Sequence, residues 1–246
     1  MSDTAVVYGL HAVRVLLERH PERVRQLWLQ QGREDARATG LRALALERRV
    51  RVGARPTAEL ERMTGEGVHQ GVVAEVEPSP PQTEDDLEEL VLAAGGDVLL
   101  LVLDGVQDPH NLGACLRCAD AAGVSAVIAP KDRAAGLTPV VRKVAAGAAE
   151  TVPFVQVTNL ARTLKRLKEL GVWIVGTEGE AGKDLYEADL KGPLAIVMGA
   201  EGAGMRRLTR EGCDFSVRLP MRGVVESLNV SVATGIVLYE ALRQRR

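Results

Sequence analysis

VLLLVL, residues 98–103, places six aliphatic side chains in a row. A strand with one wet face would alternate apolar and polar residues. An unbroken run of this length predicts a strand buried on both faces. The pattern recurs downstream as AVIA (126–129), VWIVG (172–176), LAIVMG (194–199) and FSVRLP (215–220). Between these runs the spacing predicts helices over 112–122, 139–148, 159–170 and 204–211. Buried strands alternating with helices specify an α/β fold with a mostly parallel sheet. Such sheets bind ligands beyond the carboxyl ends of their strands, so the loops after the strands are where chemistry is expected.

Upstream, EPSPPQTEDDL (77–87) combines three prolines with acids. Prolines in series block both helix and central strand, so this stretch reads as a linker. The expected organisation is a small domain over 1–76, an acidic lead-in over 77–97 and a larger domain over 98–246. The small domain also mixes helix and strand signals. Leu10, Val13, Leu16 and Leu17 recur at helical spacing, and 36–48 is a helix candidate. Residues 24–29, 50–52 and 71–76 read as strands, the last rich in β-branched side chains. No cluster of His, Cys or carboxylates there looks catalytic.

Bulk properties narrow the function. Only two Phe, three Tyr and two Trp are present in 246 residues, which disfavours stacking on aromatic platforms as the way to hold nucleic acid. The net charge of −2 conceals a segregation. Residues 1–76 carry 12 Arg against 10 acids, residues 77–98 carry 7 acids and no base, and residues 99–246 carry 19 bases against 16 acids. Two mildly basic segments permit a nucleic-acid partner without requiring one. No apolar run reaches the ~20 residues that span a bilayer. Residues 1–17 lack the apolar core of a secretion signal, and the three cysteines suit a reducing compartment, so the expected location is cytoplasmic.

Three strand-to-loop junctions carry unusual residues. The first is LDGVQDPHNLGACLRCA (103–119), with Asn111 where a helix would begin and Arg117 six residues on. Asn111 is either a helix cap or a ligand-binding group. Cys115 and Cys118 form a CxxC pair, but only one other cysteine exists to help complete a metal site, so small buried hydrophobes are the expectation and no metal is. The second is LAIVMGAEGAGM (194–205), with glycines at 199, 202 and 204 and Glu201 among them. The glycine order is not that of a dinucleotide fingerprint, and a carboxylate is a poor neighbour for pyrophosphate. The third is LPMRGVVESLNVSVATGIVLYEALRQR (219–245), which sets Ser227, Asn229 and Ser231 against an apolar run that reads as a helix from Val230 to Leu242. VGTEG (175–179) adds a further strand end, where Thr177 could bond a ligand.

In order along the chain, N-L-G-A-x-x-R, then M-G-x-E-G-x-G, then L-P-M and S-L-N-V-S-V-A resemble the three motifs of the SpoU (TrmH-type) family of RNA ribose 2′-O-methyltransferases. The resemblance covers about residues 98–243. The N-terminal part, with HQGVVA at 69–74, is similar to the family's ribosomal-protein-like substrate-binding domain. It is most similar to the members that methylate a guanosine ribose of 23S ribosomal RNA, with transfer-RNA-methylating members as the alternative. A catalytically silent RNA-binding protein and a nucleotide-dependent oxidoreductase are the other rivals.

The resemblance implies S-adenosylmethionine as methyl donor, a deep trefoil knot in the C-terminal domain, and a homodimer with its active site near the subunit interface. It places Asn111, Arg117, Glu201, Ser227 and Asn229 at the catalytic site. It also implies that backbone near Thr177, Gly199, Leu219, Met221 and Leu228 cradles the cofactor. An arginine stays protonated, so a role as plain general base is doubtful for Arg117; binding an RNA phosphate and orienting the hydroxyl suits it better. Arg142, Lys143, Arg206, Arg207, Arg210 and Arg222 are further candidates for phosphate contacts.

Overall fold

A computed structural model describes residues 5–65, 68–77, 82–200 and 202–246. In chain order the elements are β1 (Ala5–Tyr8), α1 (Leu10–Arg19), β2 (Val24–Gln30), α2 (Ala36–Glu47), β3 (Val52–Arg55), α3 (Thr57–Thr64), β4 (Val72–Val76), α4 (Glu84–Ala94), β5 (Leu99–Asp104), α5 (Pro109–Ala122), β6 (Ala126–Pro130), α6 (Pro139–Val144), α7 (Ala148–Thr151), β7 (Phe154–Val157), α8 (Leu160–Glu169), β8 (Trp173–Thr177), β9 (Lys183–Asp184), β10 (Leu194–Gly199), α9 (Arg207–Gly212), β11 (Phe215–Arg218) and α10 (Val230–Gln244). They form two compact units, one of residues 1–80 with 137–151, the other of residues 81–136 with 152–246. Among the described residues no helix is long and apolar enough to cross a membrane.

The first unit holds a four-stranded mixed sheet in the order β1-β4-β2-β3. β4 runs antiparallel to both neighbours, and β2 and β3 are parallel. Val13, Leu16 and Leu17 of α1 and Leu41 and Ala45 of α2 bury against Leu27, Leu29, Val72 and Ala74 of the sheet. Residues 137–151, which lie within the expected larger domain, pack with this unit, α6 against β1 and α7 against α1. The helix expected over 139–148 breaks in two because Ala146 and Gly147 both take positive φ, at 52° and 100°. Gly147 sits so close to Val15 that a Cβ would come within 3.0 Å of its side chain.

The second unit carries a seven-stranded sheet, all parallel, in the order β7-β6-β5-β10-β8-β11-β9. The aliphatic strands form its core as their composition requires. Leu100, Val102, Ile128, Val155, Ile174 and Val197 face Leu160, Leu164 and Leu167 of α8 and Leu87 and Val91 of α4. Leu99, Leu101, Leu103, Val127 and Ile196 are equally buried, on the face where α5 and α10 pack. Burial on both faces is what removes alternation from these strands.

Part of the proline-rich lead-in, residues 78–81, lies outside the described residues. From Glu84 the chain is helical. Thr83 and Asp86 form a reciprocal capping box, Asp86 N donating to Thr83 Oγ1 at 3.2 Å and Thr83 N to Asp86 Oδ2 at 2.7 Å. The acids at 84–86 then stand in the first turn of α4, where the helix dipole favours them.

Candidate active site

The chain leaves β5 outward through β6 and β7, then returns to lay β8 on the other side, with β10 inserted between β5 and β8. This reversal is the position at which open parallel sheets bind ligands. At the carboxyl edge Asp104 of β5 pairs in register with Gly199 of β10, and Thr177 of β8 with Val217 of β11. Two segments leave this edge for helices: residues 105–108 lead to α5, and residues 219–229 lead to α10.

Those two helices pack on each other, and their starts are joined. Asn229 Nδ2 donates to Asn111 Oδ1 at 2.9 Å. Asn229 also caps α10, its Oδ1 accepting from Ser231 N at 2.9 Å and from Ser231 Oγ at 2.6 Å. Asn111 itself is not a cap. Asp108 takes that position in α5, accepting from His110 N at 2.9 Å, with Pro109 at the first helical position. Asn111 is therefore the third residue of the helix, buried in its first turn, with its amide aimed at α10.

Cys115 and Cys118 line the same helix pair. Cys115 Sγ lies 3.5 Å from Thr234 Oγ1, and Cys118 Sγ lies 3.9 Å from Ser231 O. Burial raises the Cys118 pKa, and burial with the nearby Glu178 carboxylate pushes Cys213 up to about 12. These thiols act as small packing groups.

The other expected site residues differ in exposure and in bonding. Arg117 is exposed on α5 and makes no hydrogen bond or ion pair among the described residues. Thr177 donates its hydroxyl hydrogen to Val197 O at 3.0 Å, so its side chain ties two strands together and is left only as an acceptor toward a ligand. Gly199 is required by its own loop. Ala200 N and Gly204 O bond at 3.0 Å and Gly204 N and Ala200 O at 2.9 Å, and this fold-back brings the loop so near that a Cβ on Gly199 would lie 2.4 Å from Gly204 C. Glu201, at the tip of that loop in sequence, lies outside the described residues. Leu219 and Met221 are half-buried, Ser227 is exposed, and Leu228 is 36% exposed.

Of the basic candidates for phosphate contacts, four are already paired. Arg142 bonds the buried Glu150 and Arg206 the buried Asp104, while Arg207 meets Glu211 at 2.7 Å and Arg210 meets Glu178 at 3.0 Å. Lys143 and Arg222 are exposed without an ion pair among the described residues. Asp104 lies outside the three motifs; its signal in the sequence is a single carboxylate closing an all-aliphatic strand.

Fold and site together define a two-unit α/β protein with a buried carboxylate and two amides gathered at the carboxyl edge of an open parallel sheet. The SpoU rRNA Methylase family matches residues 98–239, and the RNA 2′-O ribose methyltransferase substrate-binding family matches residues 6–82. The chain belongs to the SpoU rRNA methylase family. It is 61% identical over 246 residues to the 23S rRNA (guanosine-2′-O-)-methyltransferase RlmB of Pseudomonas putida, covering 100% of this chain and 99% of that one. The protein of the same name from Escherichia coli is 54% identical over 240 residues, with 98% of each chain covered. Among solved structures, the SpoU methyltransferase AviRb from Streptomyces viridochromogenes in complex with the cofactor AdoMet superposes with a TM-score of 0.79 at 26% identity, covering 98% of this chain and 90% of that one.

Proposed function

We propose that this protein transfers the methyl group of S-adenosylmethionine to the ribose 2′-OH of a guanosine in 23S ribosomal RNA. The observation that carries the site is the Asn229–Asn111 hydrogen bond, which joins the segment after β11 to the helix after β5 at the reversal of the sheet. Family membership and the RlmB relatives, matched over essentially their whole length, support the reaction and the substrate.

The residues at the sheet's carboxyl edge fit a nucleoside carrying an amino-acid chain. Leu219, Met221 and Leu228 leave apolar surface uncovered there. The strand ends at Thr177 and Gly199 offer backbone groups beside it. When bound, S-adenosylmethionine supplies a methyl carbon attached to a positively charged sulfur, ready for attack by an oxygen nucleophile. Arg117, exposed and without an ion pair among the described residues, binds an RNA phosphate and orients the hydroxyl, its charge favouring proton loss from oxygen. Asn111 and Asn229 hold each other and position the groups around them. Glu201 completes the catalytic set, and Ser227 contacts substrate or cofactor.

Residues 1–76 serve as the RNA-binding domain and residues 98–246 as the methyltransferase domain, joined by the acidic lead-in. The methyltransferase domain carries the deep trefoil knot of the family. The working protein is a cytoplasmic homodimer. Val224 is fully exposed, and Val225 (63%), Val232 (52%) and Tyr239 (51%) present further apolar surface on this segment and on α10, as a subunit interface would.

The decisive experiment maps 2′-O-methyl groups in ribosomal and transfer RNA from cells with and without the protein. One guanosine of 23S RNA is expected to lose its methyl group in its absence. A change confined to transfer RNA, or none, refutes the assignment.

A further inference from the structure

The carboxyl of Asp104 is wholly buried, its side chain 0% exposed, at the end of a strand otherwise made of Leu and Val. A carboxylate in such a place needs full compensation. Among the described residues, one residue supplies all of its hydrogen bonds. Arg206 donates its backbone N to Oδ2 at 2.8 Å, its Nε to Oδ1 at 2.6 Å, and its Nη2 lies 2.5 Å from Oδ1. Main chain and guanidinium are both anchored, which fixes where Arg206 sits and which way its chain runs.

Arg206 closes the loop that begins at Gly199. That loop is held by the reciprocal Ala200–Gly204 bonds, by Met205, which is 3% exposed in the core, and by Asp104. The reciprocal bonds are internal to the loop, and Met205 seats it on the sheet without direction. The third hold ties it by oriented polar bonds to the end of β5, from which the chain runs on to Asn111 and Arg117. The neighbouring pairs Arg207–Glu211 and Arg210–Glu178 differ in kind, because both partners in each keep solvent exposure. Ion pairs of that sort contribute little to stability. A buried ion pair is often no better for stability than apolar packing; what the Asp104–Arg206 contacts fix is the position of residue 206, through one main-chain and two guanidinium contacts to one carboxylate.

We infer that Asp104 and Arg206 are positioning residues for methyl transfer: their ion pair fixes Arg206, where the chain leaves the Gly199 loop, against the end of β5, from which the chain runs to Asn111 and Arg117. This rests on the methyltransferase function proposed above. It also removes Arg206 from the RNA-contacting candidates.

The test uses the full-length chain and its Arg206→Ala, Arg206→Lys and Asp104→Asn variants. Four quantities are measured: the unfolding midpoint, the Kd for S-adenosylmethionine, the Kd for a 23S RNA fragment, and kcat for methyl transfer. Arg206→Ala should bind the RNA fragment within about twofold of wild type and lose about 100-fold in kcat, the scale expected when catalytic groups shift by an ångström. Added guanidinium should restore part of that rate. Arg206→Lys keeps the buried carboxylate paired, so it should fold even if the other two variants do not. It should still lose about 10-fold in kcat, because an ammonium cannot reproduce the guanidinium fork.

Wild-type kcat in both Arg206 variants overturns the inference. So does a loss in Arg206→Ala that follows RNA affinity, which would make Arg206 a phosphate contact. Failure of the unaltered chain to methylate any ribosomal or transfer RNA overturns the functional proposal instead.

Discussion

Asn229 uses the two ends of one amide for two tasks. Its oxygen caps α10, and its nitrogen reaches Asn111. Substitutions can separate them. Asn229→Ser retains a capping oxygen and loses the donor to Asn111, so most of the stability should remain while methyl transfer falls by at least an order of magnitude. Asn229→Ala should lose the cap as well, at about 1 kcal/mol. Urea denaturation and initial rates read the two effects separately, and equal behaviour of the two variants would refute the division. Arg117 is the opposite case, an exposed side chain that makes no hydrogen bond or ion pair among the described residues. Arg117→Ala should leave the unfolding midpoint and S-adenosylmethionine affinity unchanged and abolish methyl transfer; loss of cofactor affinity would indicate a structural role instead. Of the two readings the sequence offers for Asn111, the cap is excluded, because the backbone shows that Asp108 starts α5.

At the level of elements, α10 is held at both ends. Its C-terminal end is clasped by Gln244, which donates Nε2 to Ala188 O at 3.0 Å and accepts from Leu190 N at 2.9 Å. Arg245 adds bonds to the carbonyls of Asp97, Val98, Leu190 and Gly192. Arg245→Ala strands several of these acceptors at once and should destabilise the fold by about 1–3 kcal/mol in chemical denaturation, with Arg245→Lys recovering less than half. Glu240 on the same helix accepts from Arg243 at 2.8 Å and 2.7 Å and from Gln244 at 2.7 Å. Chiefly through Arg243, these bonds hold its carboxyl at about 2, below the ordinary 4.5. A lowered carboxylate pKa stabilises the fold above the unfolded value, and that contribution is lost as pH falls toward the folded one. Acid titration of stability between pH 4.5 and 2 should therefore be shallower for Glu240→Gln than for wild type. Equal slopes would show that Glu240 carries none of this dependence. The helix itself was legible from its sequence, and its clasp was not, since residues 97, 190 and 192 are distant in the chain.

At the scale of the molecule, two properties depend on surface chemistry. Binding to a 23S RNA fragment should weaken linearly in a plot of log affinity against log salt, with a slope of about −0.7 to −0.9 for each phosphate neutralised. A flat plot would exclude electrostatic RNA binding. The apolar residues exposed on the 219–229 segment and α10 should be covered in a dimer. Light scattering should give twice the chain mass, and Val232→Asp should shift it toward one chain with loss of activity. A monomeric wild type that methylates normally would refute the dimer.

By itself the sequence determined the parallel sheet, because strands buried on both faces lose alternation and announce themselves as aliphatic runs. Its motif order also determined the family, because N-L-G-A-x-x-R, M-G-x-E-G-x-G and S-L-N-V-S-V-A survive as contiguous words. Tertiary structure alone decided the pairings in and around those words. Asn111 meets Asn229 across 118 positions, and Asp104 meets Arg206 across 102. It also decided that residues 137–151 pack with the first unit and that four of the six candidate arginine and lysine contacts are already neutralised. The physical reason is common to all of these. Periodicity and composition report what a residue needs, burial or solvent, whereas a hydrogen-bond or ion-pair partner is set by which strand ends the sheet order brings together.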